Sequence, residues 1–431
     1  MTTRRARCPG FVLLTALASV VLGTAALLGH LDHPREQAGR SAPSRGWVGS
    51  WSAAQVGGGP EAAPGRGHPG LTVRNVVHVS VGGSAARIHL SNAFGNRPLR
   101  VLRCTVALAA RPSGPAAAAG TLRVVRFGGH GRTTVSPGAS TVSDPVRLLV
   151  PPAADLLVTV HAPLAGGTVT HHPFARQTSY LARGDHSGES GRHAFTARTS
   201  RWRYVSGVDV WNREVEGAVV VLGDSITDGL TSTPDANHRW TDFLAVRLLT
   251  SPDAPRLGVL NQGVSGNRVL RDADPGVPSN GPSGLRRLRR DALGQTGAAV
   301  LVVELGTNDI LKVPRQADAR RIVRGLREIT TRGRQHGLRV VGATLPPFRG
   351  HQSFGPEPER VRQEVNARIR GGSVFDAVLD FDRALRDPAA PTRLAPRYDS
   401  GDHLHPNDAG YRAMAGSVDL DVLRSTSPAL L

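Results

Sequence analysis

Over residues 47 to about 199 the chain alternates apolar and polar positions with the two-residue period of strands that bury one face. Val77, Val79 and Val81 alternate with His78 and Ser80, and Ile88 and Leu90 alternate with Arg87 and His89. Residues 101–109, 122–127, 146–150 and 156–160 continue the series, with turns rich in Gly, Pro and Ser between them. Many short strands punctuated in this way predict a β-sandwich or jelly-roll-like unit. After Trp211 the rhythm changes. Apolar runs at 218–222, 298–305 (broken only by Glu304) and 340–345 have the character of parallel strands buried on both faces. Between them Trp240, Phe243, Leu244 and Leu248 share one helical face, in a helix that stops near Ser251 and Pro252. Ile322, Val323, Leu326 and Ile329 share another, ending at His336 and Gly337. A last helix is predicted from near Pro406 toward Leu423. Strands alternating with helices predict a doubly wound α/β domain with a parallel sheet, whose ligands lie beyond the carboxyl ends of the strands.

The length of 431 residues accommodates two such domains, an all-β sandwich at 47–205 and an α/β domain at 206–431. Ahead of them Arg4, Arg5 and Arg7 precede an apolar run at 11–28, the layout of a secretory signal with a cleavage point near Thr24, Ala25 and Ala26. The run is long for a signal and short for a membrane span, so an uncleaved anchor is the alternative. Residues 1–29 are therefore expected to be a signal peptide or anchor, the mature chain to be secreted, and 30–46, rich in Gly, Pro and Ser, to be a linker. Cys8 lies before the apolar run, which leaves Cys104 alone in the mature chain, with no internal disulfide and the character of a core thiol. The formal charge of +19 is almost wholly arginine, since Lys312 is the only lysine. No nucleic-acid motif or aromatic-interleaved basic stripe accompanies it, so no nucleic-acid partner is expected and runs such as 286–290 are assigned to solvated surface.

The candidate chemistry lies in four segments of the α/β half. Gly223-Asp224-Ser225-Ile226-Thr227 follows the strand at 218–222, where an α/β protein can present a nucleophile. Asn261-Gln262-Gly263-Val264-Ser265-Gly266-Asn267 follows the apolar run 257–260, Gly306-Thr307-Asn308-Asp309 follows Leu305, and Asp402-His403-Leu404-His405 precedes the last helix. All four therefore fall at one rim of the predicted sheet. Acyl transfer needs a nucleophile, a base, a group that orients the base, and donors for the oxyanion. Serine needs a histidine to take its proton, and the imidazole works best with a carboxylate on its other nitrogen. Asp402 stands three residues before His405, so one turn of chain can set the carboxylate against the ring; His403 competes with His405 on residue type alone. The Ser225 N–H, the Gly263 N–H and the Asn308 side-chain amide are the candidate oxyanion donors, glycine suiting a close backbone approach. Asp224 and Asp309 are assigned to loop bracing. Asn267, Arg268 and Asp272 either line the cleft or brace its loops. His171-His172 lacks the spacing of a metal site, Gly57-Gly58-Gly59 lacks the context of a phosphate loop, and Thr227 stands where a G-x-S-x-G elbow needs its second glycine.

These blocks resemble the SGNH, or GDSL, hydrolase superfamily over about residues 216–425, with Ser225 in GDSIT, Gly263 in NQGVSGN, Asn308 in GTND and His405 in DHLHP. The resemblance implies a flavodoxin-like α/β fold, Ser225 as nucleophile, His405 as base, Asp402 as third triad member, and Ser225, Gly263 and Asn308 as the oxyanion hole, with no cofactor and no metal. The all-β region resembles the N-terminal part of a group of exported actinobacterial-type members. The expected function is a secreted carboxylic ester hydrolase, a GDSL-type acyl or acetyl esterase working through an acyl-enzyme on acylated carbohydrate or small esters. A lipase or phospholipase acting on lipid esters is the alternative enzyme. A non-catalytic glycan-binding protein is the alternative of another class. The sandwich is a candidate contact for glycan or cell wall.

Overall fold

Alternating apolar residues build two large antiparallel sheets. One runs in the order Trp47–Ser52, Val205–Trp211, Gly83–Ser91, Val146–Val150, with Ser140–Val142 also paired to Gly83–Ser91. The other runs Ala197–Thr199, Ser179–Arg183, Leu71–His78, Asp155–Ala162, Arg103–Leu108, Arg123–Val125. Ile88, Leu90 and Val208 of the first share one core with Val73, Val77 and Val158 of the second, so the sheets face each other as a sandwich. A three-stranded sheet of Val56–Glu61, Gly167–His172 and Trp202–Arg203 and a ribbon of Leu99–Val101 with Thr133–Val135 complete this half. The computed structural model describes residues 46–61, 70–164 and 166–424; the expected signal, Cys8 and the linker through residue 45 lie outside them. The last antiparallel strand, Val205–Trp211, carries the sandwich past the boundary expected at 205/206.

The second half is a five-stranded sheet of β1 (Gly217–Gly223), β2 (Leu257–Gly263), β3 (Ala298–Glu304), β4 (Arg339–Ala343) and β5 (Ala377–Leu379), all paired in parallel. Its spatial order, β2-β1-β3-β4-β5, is flavodoxin-like, with the topological switch between β1 and β3. Every residue of β1 is buried, as its unbroken apolar run requires. The helices are α1 (Ser225–Asp228), α2 (Trp240–Thr250), α3 (Gly284–Leu288), α4 (Thr307–Leu311), α5 (Ala319–Gln335), α6 (Pro356–Arg370), α7 (Phe381–Leu385) and α8 (Asp408–Gly416). Trp240 and Leu244 of α2 pack with Tyr411 and Met414 of α8 and with Val219 and Val221 on one face. Ile322 and Leu326 of α5 and Val361 and Val365 of α6 pack with Val220 and Leu222 on the other. The final helix is shorter than expected. Asn407 accepts the Gly410 N–H at 3.0 Å and caps it, so Pro406 stands outside, and a separate 3-10 turn, Leu420–Leu423, takes the tail.

The described residues fall in one compact unit. Val48 and Trp51 of the sandwich lie in the same core as Leu260 and Leu288 of the α/β half. Hydrogen bonds stitch the seam: Gly49 N–H to Thr296 O at 2.9 Å, Val259 N–H to Ser80 Oγ at 2.9 Å, and Gln262 Nε2 to Ser52 Oγ at 2.7 Å.

Candidate active site

The carboxyl end of β1 carries the first part of the site. Asp224 caps α1, its Oδ1 accepting the Ile226 N–H at 3.1 Å. Ser225 is thereby set at the first helical position, where a backbone N–H has no intrahelical acceptor. Its N–H donates to no described residue. The second part comes from the turn before α8. Asp402 Oδ1 accepts the N–H groups of Leu404 at 2.9 Å and His405 at 2.8 Å. This curls the turn so that Asp402 Oδ2 lies 2.6 Å from His405 Nδ1, while His405 Nε2 lies 2.8 Å from Ser225 Oγ. Burial opposes ionisation of Asp402, yet the His405 ring, the His405 N–H and the Leu404 N–H together hold its carboxyl well below the usual carboxylate range. His403, the rival on residue type, points elsewhere: its Nδ1 lies 2.6 Å from Asp399 Oδ2 and half of its side chain is exposed. Ser225, His405 and Asp402 form one connected line of contacts.

On the other side of Ser225, Asn308 stands in the first turn of α4, just beyond β3. Its Nδ2 donates one hydrogen to Asp224 Oδ2 at 3.2 Å and has no described acceptor for the second. Gly263 departs from expectation. Its N–H is already taken by Asn261 Oδ1 at 2.8 Å, so it is not a free oxyanion donor. Glycine is required there for another reason: a Cβ would strike the Asp228 backbone N, because the end of β2 lies directly against α1. The unengaged backbone donor of this segment is Gly266, at φ +79, whose N–H donates to no described residue. A Cβ there would run into the Asn280 amide and Lys312 Nζ. The loop that carries Gly266 is held against α1, since Ser265 donates from its N–H (3.0 Å) and its Oγ (2.6 Å) to Asp228 Oδ2. The sequence signal for Gly266 was the Ser-Gly pair, which marks a turn with positive φ.

Residues 221–413 match the GDSL-like lipase/acylhydrolase family. The α/β half is a GDSL-like lipase/acylhydrolase domain. Through this domain the chain is a carboxylic ester hydrolase. A comparison with curated proteins finds no match. Similar solved structures include a GDSL-like lipase from Bacteroides thetaiotaomicron VPI-5482, 19% identical, covering 48% of this chain and 88% of that chain with a TM-score of 0.36. A carbohydrate acetylesterase family member from Sinorhizobium meliloti is 18% identical, covering 47% of this chain and 94% of that chain, TM-score 0.36. A family two carbohydrate esterase from Cellvibrio japonicus is 12% identical, covering 89% of this chain and 98% of that chain, TM-score 0.36.

Beneath the GDSL serine lies a layer of buried carboxyls. Thr227 Oγ1 donates to Glu304 Oε2 at 2.9 Å, and the Asp224 N–H donates to the Glu304 carbonyl at 3.2 Å. Burial, followed by the charge of Asp224, raises Glu304 well above the carboxylate range. Its other oxygen, Oε1, is buried and meets no hydrogen-bond partner among the described residues. Burial also pushes Asp224 up to about 6. Asp309 braces the loop after Gly266, accepting the N–H groups of Val269 at 2.7 Å and Leu270 at 3.0 Å, and burial pushes it up to about 6. Asn267 is a brace too, donating to the carbonyls of Asn280 and Pro282 at 2.8 Å each. Sequence reasoning missed Arg287. Assigned with its arginine run to solvated surface, it is fully buried and donates to Asn267 Oδ1 at 2.9 Å, the Gln262 carbonyl at 2.7 Å and the Gly223 carbonyl at 2.8 Å. It ties the ends of β1 and β2 to the Gly266 loop. The available signal was its place one residue before Leu288 on a capped helix, not its charge. Among the described residues no group of three or more His, Cys, Asp or Glu side chains is arranged to hold a metal ion.

Proposed function

We propose that the chain is an exported serine ester hydrolase that works through an acyl-enzyme and takes acylated carbohydrate or small esters. The observation that carries the chemistry is the unbroken line from Asp402 Oδ2 through the His405 ring to Ser225 Oγ, at 2.6 and 2.8 Å. Ser225 Oγ attacks the ester carbonyl while His405 Nε2 takes its proton and Asp402 steadies the imidazolium. The oxyanion is received by the Ser225 N–H, the Gly266 N–H and the Asn308 amide, which are the donors left unengaged by the protein. His405 then protonates the leaving alcohol, and a water deprotonated by the same imidazole releases the acid from Ser225. Export is supported by the arginines and apolar run of the N-terminal sequence. An exported enzyme meets polymeric glycans, and the sandwich offers such a chain a second surface.

Ser225→Ala should abolish turnover of short p-nitrophenyl esters by the purified mature protein, measured by release of the phenolate. Wild-type turnover in that variant would sink the reading. The substrate class is tested by comparing acetyl with longer acyl chains, and acetylated glycan with phospholipid vesicles. Preference for long chains and vesicles would make the enzyme a lipase or phospholipase instead.

A further inference from the structure

His172 ends the strand Gly167–His172 in the antiparallel half, yet its ring reaches the α/β half. Its Nδ1 lies 2.8 Å from the Ala54 carbonyl and its Nε2 lies 2.9 Å from Asp228 Oδ1. Each ring nitrogen thus faces an oxygen, the carbonyl of its own half on one side and the carboxyl of α1 on the other. Neither partner is exposed: the two side chains retain 4% and 2% of their surface. Trp202 packs against the ring at 5.3 Å and fixes its plane, its own Nε1 donating to the Val76 carbonyl at 2.6 Å.

Asp228 is the last residue of α1, the helix that begins with Ser225. Its second oxygen, Oδ2, accepts both Ser265 donors, and Ser265 immediately precedes Gly266. One carboxylate therefore spans from a histidine of the sandwich to the loop with the free backbone donor. Removing His172 would leave Asp228 Oδ1 buried without a hydrogen-bond partner, a cost the side chain relieves by turning or by admitting water. Either response loosens the grip on Ser265.

We infer that His172 is a positioning residue of the catalytic site: acting through Asp228, it fixes the Ser265-Gly266 loop, so the antiparallel half supplies part of the active-site framework. This rests on the reading of Gly266 as an oxyanion donor.

Two substitutions separate the two sides of the ring. In His172→Asn the amide nitrogen stands where Nδ1 was, keeping Ala54 and losing Asp228. In His172→Gln it stands where Nε2 was, keeping Asp228 and losing Ala54. An oxyanion donor acts in the transition state, so the loss should appear in kcat rather than KM. With p-nitrophenyl acetate and the mature chain, His172→Asn should lower kcat about 10- to 100-fold with KM within about twofold, and His172→Gln should restore kcat to within about fivefold of wild type. A stability role alone would not make Gln rescue kcat at equal thermal unfolding temperature. A cavity of about 40 Å³ beside the pair makes a folding defect the main confounder. Should His172→Asn not fold, Ser265→Ala removes the loop's side-chain bond to Asp228 without touching the sandwich, and it should also lower kcat at constant KM. Unchanged kcat in Ser265→Ala, or Gln performing no better than Asn, overturns the inference. An active Ser225→Ala would instead overturn the triad reading, so the two failures are told apart.

Discussion

Asn308 holds one amide hydrogen on Asp224 and leaves the other without a described acceptor, which fixes the direction of that free hydrogen in advance. A donor oriented in advance needs no rearrangement as charge develops on the carbonyl oxygen. Asn308→Ala should therefore lower kcat roughly 100- to 1,000-fold while changing KM little, as steady-state kinetics on a short ester would show. Asp224 in turn leans on Glu304, and that pair gives a stability prediction with a definite sign. Glu304 is raised in the folded state, so its contribution is complete below its unfolded pKa of about 4.3 and is lost as pH rises through the folded value. Glu304→Gln keeps the neutral shape and removes the titration. Its unfolding temperature should fall less between pH 5 and pH 8 than that of wild type in parallel calorimetry; an equal or larger fall would contradict the assignment. The order of the blocks made the triad legible, because Ser225, Asp402 and His405 stand in separate turns that all fall at one rim of the predicted sheet. It could not reveal Glu304 or Arg287, whose roles depend on burial, and burial of a charged side chain leaves no mark in a single sequence.

At the scale of elements, the site is two strand ends pressed against one short helix. The end of β2 approaches α1 so closely that no Cβ fits at Gly263. Gly263→Ala should push β2 and α1 apart and destabilise the fold by about 1–3 kcal/mol, measured by chemical denaturation, with a fall in kcat because α1 carries the nucleophile. The strands were legible from their unbroken apolar runs, and α5 from its single apolar stripe. Close approach at Gly263 was legible as well, but not the object approached, which is the protein's own helix rather than substrate. Strand ends that alternate Gly with polar residues say where a backbone turns; they do not say which N–H remains free once neighbouring side chains have taken theirs. The final helix shows the same limit, since Pro406 and Asn407 are both good starting residues and only the Asn407 to Gly410 hydrogen bond distinguishes them.

At the scale of the molecule, the change of hydrophobic period near Trp211 marks where the architecture changes but not where the core divides. Trp51, Val48, Leu260 and Leu288 look like ordinary strand and helix residues in sequence, and in space they pack together across the seam. A shared core implies shared unfolding. The chain should show one calorimetric transition with agreement between calorimetric and van't Hoff enthalpies, and two resolved transitions would show that the halves fold independently. Cys104 lies inside this common core with no exposed surface, and burial pushes its thiol up to about 12. Only a thiolate reacts with a disulfide reagent, and here neither ionisation nor access is available while the sandwich stays shut. In a chain carrying Cys8→Ser, Cys104 becomes a single internal stopwatch: each molecule labelled records one excursion from the native state, whichever half came apart first.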